Sequence, residues 1–170
     1  MRRWFRWTLI LVTIGGGFAG LVSVAEDAYG LKSYGIQDLL PLALFAVLYA
    51  VTIWTGLLFA DDARRTGLLT STLILQVPTF WSRFLSYHFT AGFNVLFTVA
   101  RSRPIPRTDG TTTTGVDFGP SFHFGSDYWL FLSRDWGWGV GINLFALAVL
   151  ILLRKYTRPA GVRAGRPQDY

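Results

Sequence analysis

The chain has 170 residues, 51% hydrophobic and 15% charged, with a net charge of +6 and a mean hydropathy of +0.36. A water-soluble domain usually carries about a quarter charged residues, so the composition argues against an ordinary soluble domain. There is no cysteine, which excludes disulfides, thiolate nucleophiles, Cys-ligated zinc and iron–sulfur clusters.

In chain order, the first feature is the basic start Met1-Arg2-Arg3-Trp4-Phe5-Arg6, followed by the charge-free run Thr8 to Val24. That layout resembles an export signal with Ser23-Val24-Ala25 as a cleavage site, and the twin arginines add to the likeness. The apolar stretch exceeds the roughly 7–15 residues of a signal core, so the sequence predicts an uncleaved first helix over residues 8–25. A second run, Leu39 to Ala60, lies between Asp38 and Asp61-Asp62. Roughly 20 apolar residues cross a hydrocarbon core of about 30 Å, and both runs meet that length.

The third run, Gly67 to Val99, contains Pro78, Arg83 and His88. It is read as a crossing over 67–87, bent at Pro78, whose remainder lies along the outer interface. Between Ala100 and Asp135 the chain leaves the membrane. The prolines of Arg103-Pro104-Ile105-Pro106-Arg107 bias this part to extended backbone, as do Thr111 to Thr114. Aromatic residues alternate on both sides of Gly125-Ser126, which predicts a short β-hairpin turning there. The fourth run, Trp136 to Leu153, stops at Arg154-Lys155, and Thr157 to Tyr170 reads as a disordered basic tail near anionic headgroups.

Charge sets the orientation. Ten of the sixteen basic residues, Arg2, Arg3, Arg6, Arg64, Arg65, Arg154, Lys155, Arg158, Arg163 and Arg166, fall in segments placed inside. The positive-inside rule then puts both termini in the cytoplasm, against the bias of Arg101, Arg103 and Arg107 on the outer side. Trp4 and Trp7 mark the inner interface, and Trp81, Trp129, Trp136 and Trp138 the outer one. The expected fold is an all-α inner-membrane protein. It is a four-helix transmembrane bundle over 1–156, with a hairpin-like extracytoplasmic loop between helices 3 and 4.

Motifs for chemistry are sparse. Two histidines without carboxylates at ligand spacing do not make a metal site. No nucleophile elbow, phosphate loop or dinucleotide fingerprint appears. The basic residues flank apolar spans, which speaks against nucleic acid. The expectation is therefore a non-enzyme with no cofactor.

Three groups of residues remain as candidates. Arg83 and His88, with Gln76, Ser82, Ser86 and Asn94, form a polar seam that, joined by Arg101, Arg103 and Arg107, suits an anionic lipid or solute. Phe118, Phe122, Phe124, Tyr128, Trp129 and Phe131 give the outer loop an apolar surface for a partner. The pairs Gly16/Gly20 and Gly137/Gly141 have the spacing of close helix contacts, within the chain or to another copy. These point first to an accessory or scaffolding protein engaging a membrane partner, and second to lipid or solute handling. A third reading, an immunity or defence factor, is not separable from the first by sequence.

Overall fold

The computed structural model describes residues 3–31, 35–101, 105–106, 112–113, 115–132 and 137–157. Two long helices, α1 (Arg3–Gly30) and α2 (Ile36–Asp61), form an antiparallel hairpin. At 1.5 Å per residue they reach about 42 and 39 Å. Both are long and apolar enough to cross a membrane, although only 33% of each apolar window is buried in the fold. Small residues bring them together. A Cβ added to Gly20 would stand 2.2 Å from the Tyr49 ring, and one on Gly56 would stand 2.6 Å from Thr13 Oγ1.

Two short helices, α3 (Gly67–Gln76) and α4 (Leu144–Thr157), pack against one half of this hairpin. Their shared core joins Phe5, Leu9, Phe59, Leu69, Leu73, Val149, Leu150 and Leu153. Arg6 Nη2 donates to the Ala60 carbonyl at 2.6 Å, and the Phe5 and Tyr156 rings lie 5.5 Å apart. The start of α1, the end of α2, the start of α3 and the end of α4 therefore meet at one end. Arg3, Arg6, Arg64, Arg65, Arg154 and Lys155 gather there, whereas Glu26, Asp27 and Asp38 sit at the other.

Among the described residues eight strands complete the fold: β1 (Pro78–Trp81), β2 (Leu85–Thr90), β3 (Phe93–Arg101), β4 (Ile105–Pro106), β5 (Thr112–Thr113), β6 (Val116–Phe124), β7 (Asp127–Leu132) and β8 (Trp138–Asn143). Strands β4 and β5 pair with each other, and the other six form one antiparallel sheet in the order β6-β3-β8-β1-β2-β7. The connections dictate its shape. A flat six-stranded sheet separates its edges by five spacings of about 4.8 Å, roughly 24 Å. Here the edges β6 and β7 are joined only by Gly125 and Ser126, which span at most about 11 Å. The sheet must curl until its edges meet at that end.

The curl comes from one bent ribbon. Leu85–Thr90 pairs with Leu132–Asp127, and Phe93–Arg101 pairs with Phe124–Val116, in a single continuous register. That register sets Gly92 opposite Gly125, the two glycines at positive φ (92° and 135°). The Gly125 N–H donates to the Gly92 carbonyl at 2.7 Å. Left-handed backbone is cheap for glycine and costly for other residues, so the ribbon folds at this pair. Its two arms then flank β1 and β8. The bend rests on the middle of α1, where Ser126 Oγ donates to the Gly16 carbonyl. It also rests on α2, where Tyr49 Oη lies 3.0 Å from the Thr90 carbonyl and 3.2 Å from that of Asp127.

This architecture overturns the all-α, multi-pass four-helix bundle expected from the sequence. The third apolar run is helical only to Gln76; Pro78 lacks an N–H, and the chain leaves as β1, β2 and β3. The fourth run begins as β8 and becomes helix only at Leu144. There Asn143 Oδ1 accepts the N–H groups of Phe145 and Ala146 at 3.1 and 3.2 Å, in the manner of a helix cap. The expected hairpin at Gly125-Ser126 has the right strands and the wrong pairing, since β6 bonds β3 and β7 bonds β2. The tail from 158 lies outside the described residues.

A Cβ on Gly16 would stand 2.4 Å from the Gly92 backbone nitrogen, whereas one on Gly15 meets nothing within 4 Å. Gly16→Ala should therefore destabilise the fold by about 1–3 kcal/mol through overpacking against backbone. Gly15→Ala should be neutral or stabilising by up to about 1 kcal/mol through helix propensity. Thermal unfolding of the two variants in detergent checks this contrast.

Candidate functional site

Side chains alternate across a strand, so the registers divide the sheet into two faces. One face carries Thr79, Trp81, Ser86, His88, Thr90, Asn94, Thr98, Asp117, Ser121, His123, Asp127, Trp129, Gly139, Gly141 and Asn143. The other carries Phe80, Tyr87, Phe89, Phe93, Val95, Phe97, Val99, Phe118, Phe122, Phe124, Tyr128, Leu130, Val140 and Ile142. A water-soluble sheet buries the second kind of face and wets the first. This sheet does the reverse over much of its area. Thr79, Ser86, His88, Thr90, Asn94 and Asn143 are all buried, while Phe97, Phe118, Phe122, Phe124, Val140 and Ile142 are exposed. The polar face opens to the surroundings along β6, where Asp117, Ser121 and His123 are exposed, and at Asp127 on β7.

The centre of the polar face is a row around His88. Its Nδ1 lies 2.7 Å from Thr79 Oγ1, and its Nε2 lies 3.7 Å from Asp127 Oδ2. The imidazole stacks on Trp129 at 5.4 Å and 25°. Trp81 lies across Gly139, where a Cβ would come 2.2 Å from its ring. Burial holds the His88 pKa below the ordinary imidazole range; the Asp127 carboxylate opposes this, and His123 on β6 adds to it. At the sheet's margin, burial and the hydrogen bond to Asp27 raise the pKa of the Tyr128 hydroxyl.

A hydroxyl, an imidazole and a carboxylate in line are the parts of an activated nucleophile. Access decides against that use, because Thr79 is 2% exposed and His88 is 2% exposed. Among the described residues no group of three or more His, Cys, Asp or Glu side chains could hold a metal ion. The row's evident role is to satisfy polar groups inside the curl, where an unpaired one costs about 1–3 kcal/mol.

The sequence candidates are dispersed by this geometry. Arg83 sits exposed in the turn between β1 and β2, and His88 lies in the sheet interior, so the two do not share a site. Arg101 is exposed at the end of β3, and Arg103 and Arg107 lie outside the described residues. Phe118, Phe122 and Phe124 share one exposed strand face. Tyr128 points the same way but packs on α2 with its ring 4.6 Å from Phe45, while Trp129 and Phe131 line the opposite face. Gly20 does serve helix packing. Gly16 instead admits the strand bend, Gly141 lies in β8 beside Thr98, and Gly137 precedes that strand, so the second pair is not helical.

Thr79, Asp127 and Asn143 escaped the sequence reading. The signal that would have found their row is the two-residue alternation of Leu85-Ser86-Tyr87-His88-Phe89-Thr90 and Phe93-Asn94-Val95.

Because the folded state disfavours the charged imidazole, the unfolded chain takes up a proton at His88 more readily. Stability is then complete above the ordinary imidazole pKa of about 6.5 and declines as pH falls below it. Thermal unfolding midpoints should drop between about pH 7.5 and 5.5 for the wild type. The same profile should be flatter for His88→Gln.

No protein-family description matches the chain, and neither does any curated protein or solved structure.

Proposed function

We propose that the protein is a non-catalytic, membrane-embedded accessory protein that offers the apolar face of β6 to a protein partner. The observation that carries this reading is the exposure of Phe118, Phe122 and Phe124, at 76%, 72% and 87%, on one face of an edge strand. Exposed apolar surface of that density marks a partner or a lipid interface. Among the described residues the outer edge of β6 is unpaired, which favours the partner. Open strand edges are not tolerated against hydrocarbon, where unpaired N–H and C=O groups each cost several kcal/mol. A protein surface can satisfy them.

Membrane embedding is supported by the α1–α2 hairpin and by the outward apolar faces of both helices and sheet. The grouping of Arg3, Arg6, Arg64, Arg65, Arg154 and Lys155 at one end favours placing that end in the cytoplasm, with the α1–α2 turn outside. The lipid- or solute-handling alternative draws less support, because Arg83 lies in the turn between β1 and β2 and His88 is buried within β2.

A photo-crosslinking residue at Phe122, activated in native membranes, tests the proposal. The expected result is one discrete protein adduct that also co-purifies in mild detergent. Phe118→Asp combined with Phe124→Asp should abolish the adduct while the chain stays in the membrane after alkaline extraction, because α1 and α2 remain apolar. Adducts to lipid alone, from a chain that purifies alone, would contradict the accessory role.

A further inference from the structure

The switch from helix to strand halfway along the molecule leaves a trough on its basic half. Helix α3 ends at Gln76 and the chain departs at Pro78, while α4 begins only after Asn143. Between them is a cleft of about 350 Å³ lined by Ile74, Val77, Pro78, Leu147, Ile151 and Arg154. Its walls are apolar and face outward, with Ile74 48% and Ile151 59% exposed. Only the end nearest the basic terminus of α4 is charged, by Arg154 at the rim and Lys155 beside it in the last turn. The α4 residues that line it, Leu147 to Arg154, rise about 10 Å. That is about two-thirds of one leaflet, half of a hydrocarbon core of roughly 30 Å.

We infer that this trough is a binding site for an anionic phospholipid of the cytoplasmic leaflet. One acyl chain lies between α3 and α4, and the phosphate meets Arg154. The inference rests on the membrane-embedded reading and adds to it a defined ligand. Length and charge together select the occupant. An outward-facing apolar slot running along most of one leaflet takes the upper part of an acyl chain rather than a soluble metabolite, and a cation at the headgroup level selects an anionic lipid over a zwitterionic one. Strands β1 and β8 close the deep end, since Pro78 pairs with Ile142 there.

The absence of cysteine allows single labels. Leu147→Cys, or Ile151→Cys one turn along, would carry a fluorophore in the trough, and Leu57→Cys would carry it on the exposed side of α2. Each labelled protein is reconstituted into vesicles of equal parts phosphatidylcholine and phosphatidylglycerol, with bromine on the chains of one lipid or the other. Brominated phosphatidylglycerol should quench the trough labels about fivefold more effectively, the factor one basic residue contributes at an anionic surface. At Leu57 the two lipids should quench alike, and Arg154→Gln should remove the preference in the trough. Equal quenching in the trough, or a preference that survives Arg154→Gln, would overturn the assignment. Quenching at no position by either lipid would overturn the membrane-embedded reading and the lipid site with it.

Discussion

Everything in the sheet depends on the close approach of three glycine backbones. Gly92 and Gly125 face each other across one ribbon at positive φ, and Gly16 leaves space on α1 for the bend they make. Without the bend the ribbon would run straight as a long two-stranded hairpin, a form only marginally stable by itself. With it, the arms fold around β1 and β8, and a six-stranded sheet closes at its base. Tyr49 and Ser126 then tie that base to the helix hairpin through backbone carbonyls, so the helices and the sheet behave as one structural unit.

The curl also explains the distribution of polarity. A cup built from the ribbon has little interior volume, and it is filled by Trp81, Trp129 and His88, with Gly139 and Gly141 providing room. Several interior hydroxyls and amides pair with one another and with backbone, as Thr79 does with His88 and Gln76 with the Ala91 N–H. Asn94 Oδ1 and Asn143 Nδ2, by contrast, are buried without a hydrogen-bond partner among the described residues. The outward face of β8 and the Phe118, Phe122 and Phe124 positions of β6 are left apolar. That pattern is stable where the surroundings are apolar, which links the packing of the sheet directly to the environment proposed for the protein.

How much of this was legible in the sequence follows from what hydropathy can register. Residues 8–25 and 39–60 are uniformly apolar over helical lengths, and both appear as helices. Of the ten basic residues read as lying on one side, the six that are described, Arg3, Arg6, Arg64, Arg65, Arg154 and Lys155, lie at one end. Residues 78–101 and 138–143 adjoin the apolar stretches 67–77 and 144–153, and their aromatic and branched side chains let them be read as parts of spans. Their strand character lies in finer marks. Pro78 ends a helix, Ser86, His88 and Thr90 alternate with Tyr87 and Phe89, and Gly139 and Gly141 sit two apart. Nothing local could reveal that β6 and β7 pair with β3 and β2 rather than with each other, because Gly125-Ser126 looks like an ordinary tight turn. That outcome is set by Gly92, thirty-three positions earlier in the register, and by the groove at Gly16. The candidate residues dispersed for the same reason. Arg83 and His88 fall one helical turn apart on a helix, but on strands they belong to a turn and to an interior face.

The inside-out sheet is the central claim, and thiol accessibility along β6 tests it most directly. Single cysteines at 117, 118, 121, 122, 123 and 124, in protein kept in its native membranes, would be exposed to a membrane-impermeant maleimide. The account predicts an alternation of period two, with 117, 121 and 123 reacting and 118, 122 and 124 protected until detergent is added. Uniform reactivity, or reactive positions spaced three to four apart as on a helix, would contradict it.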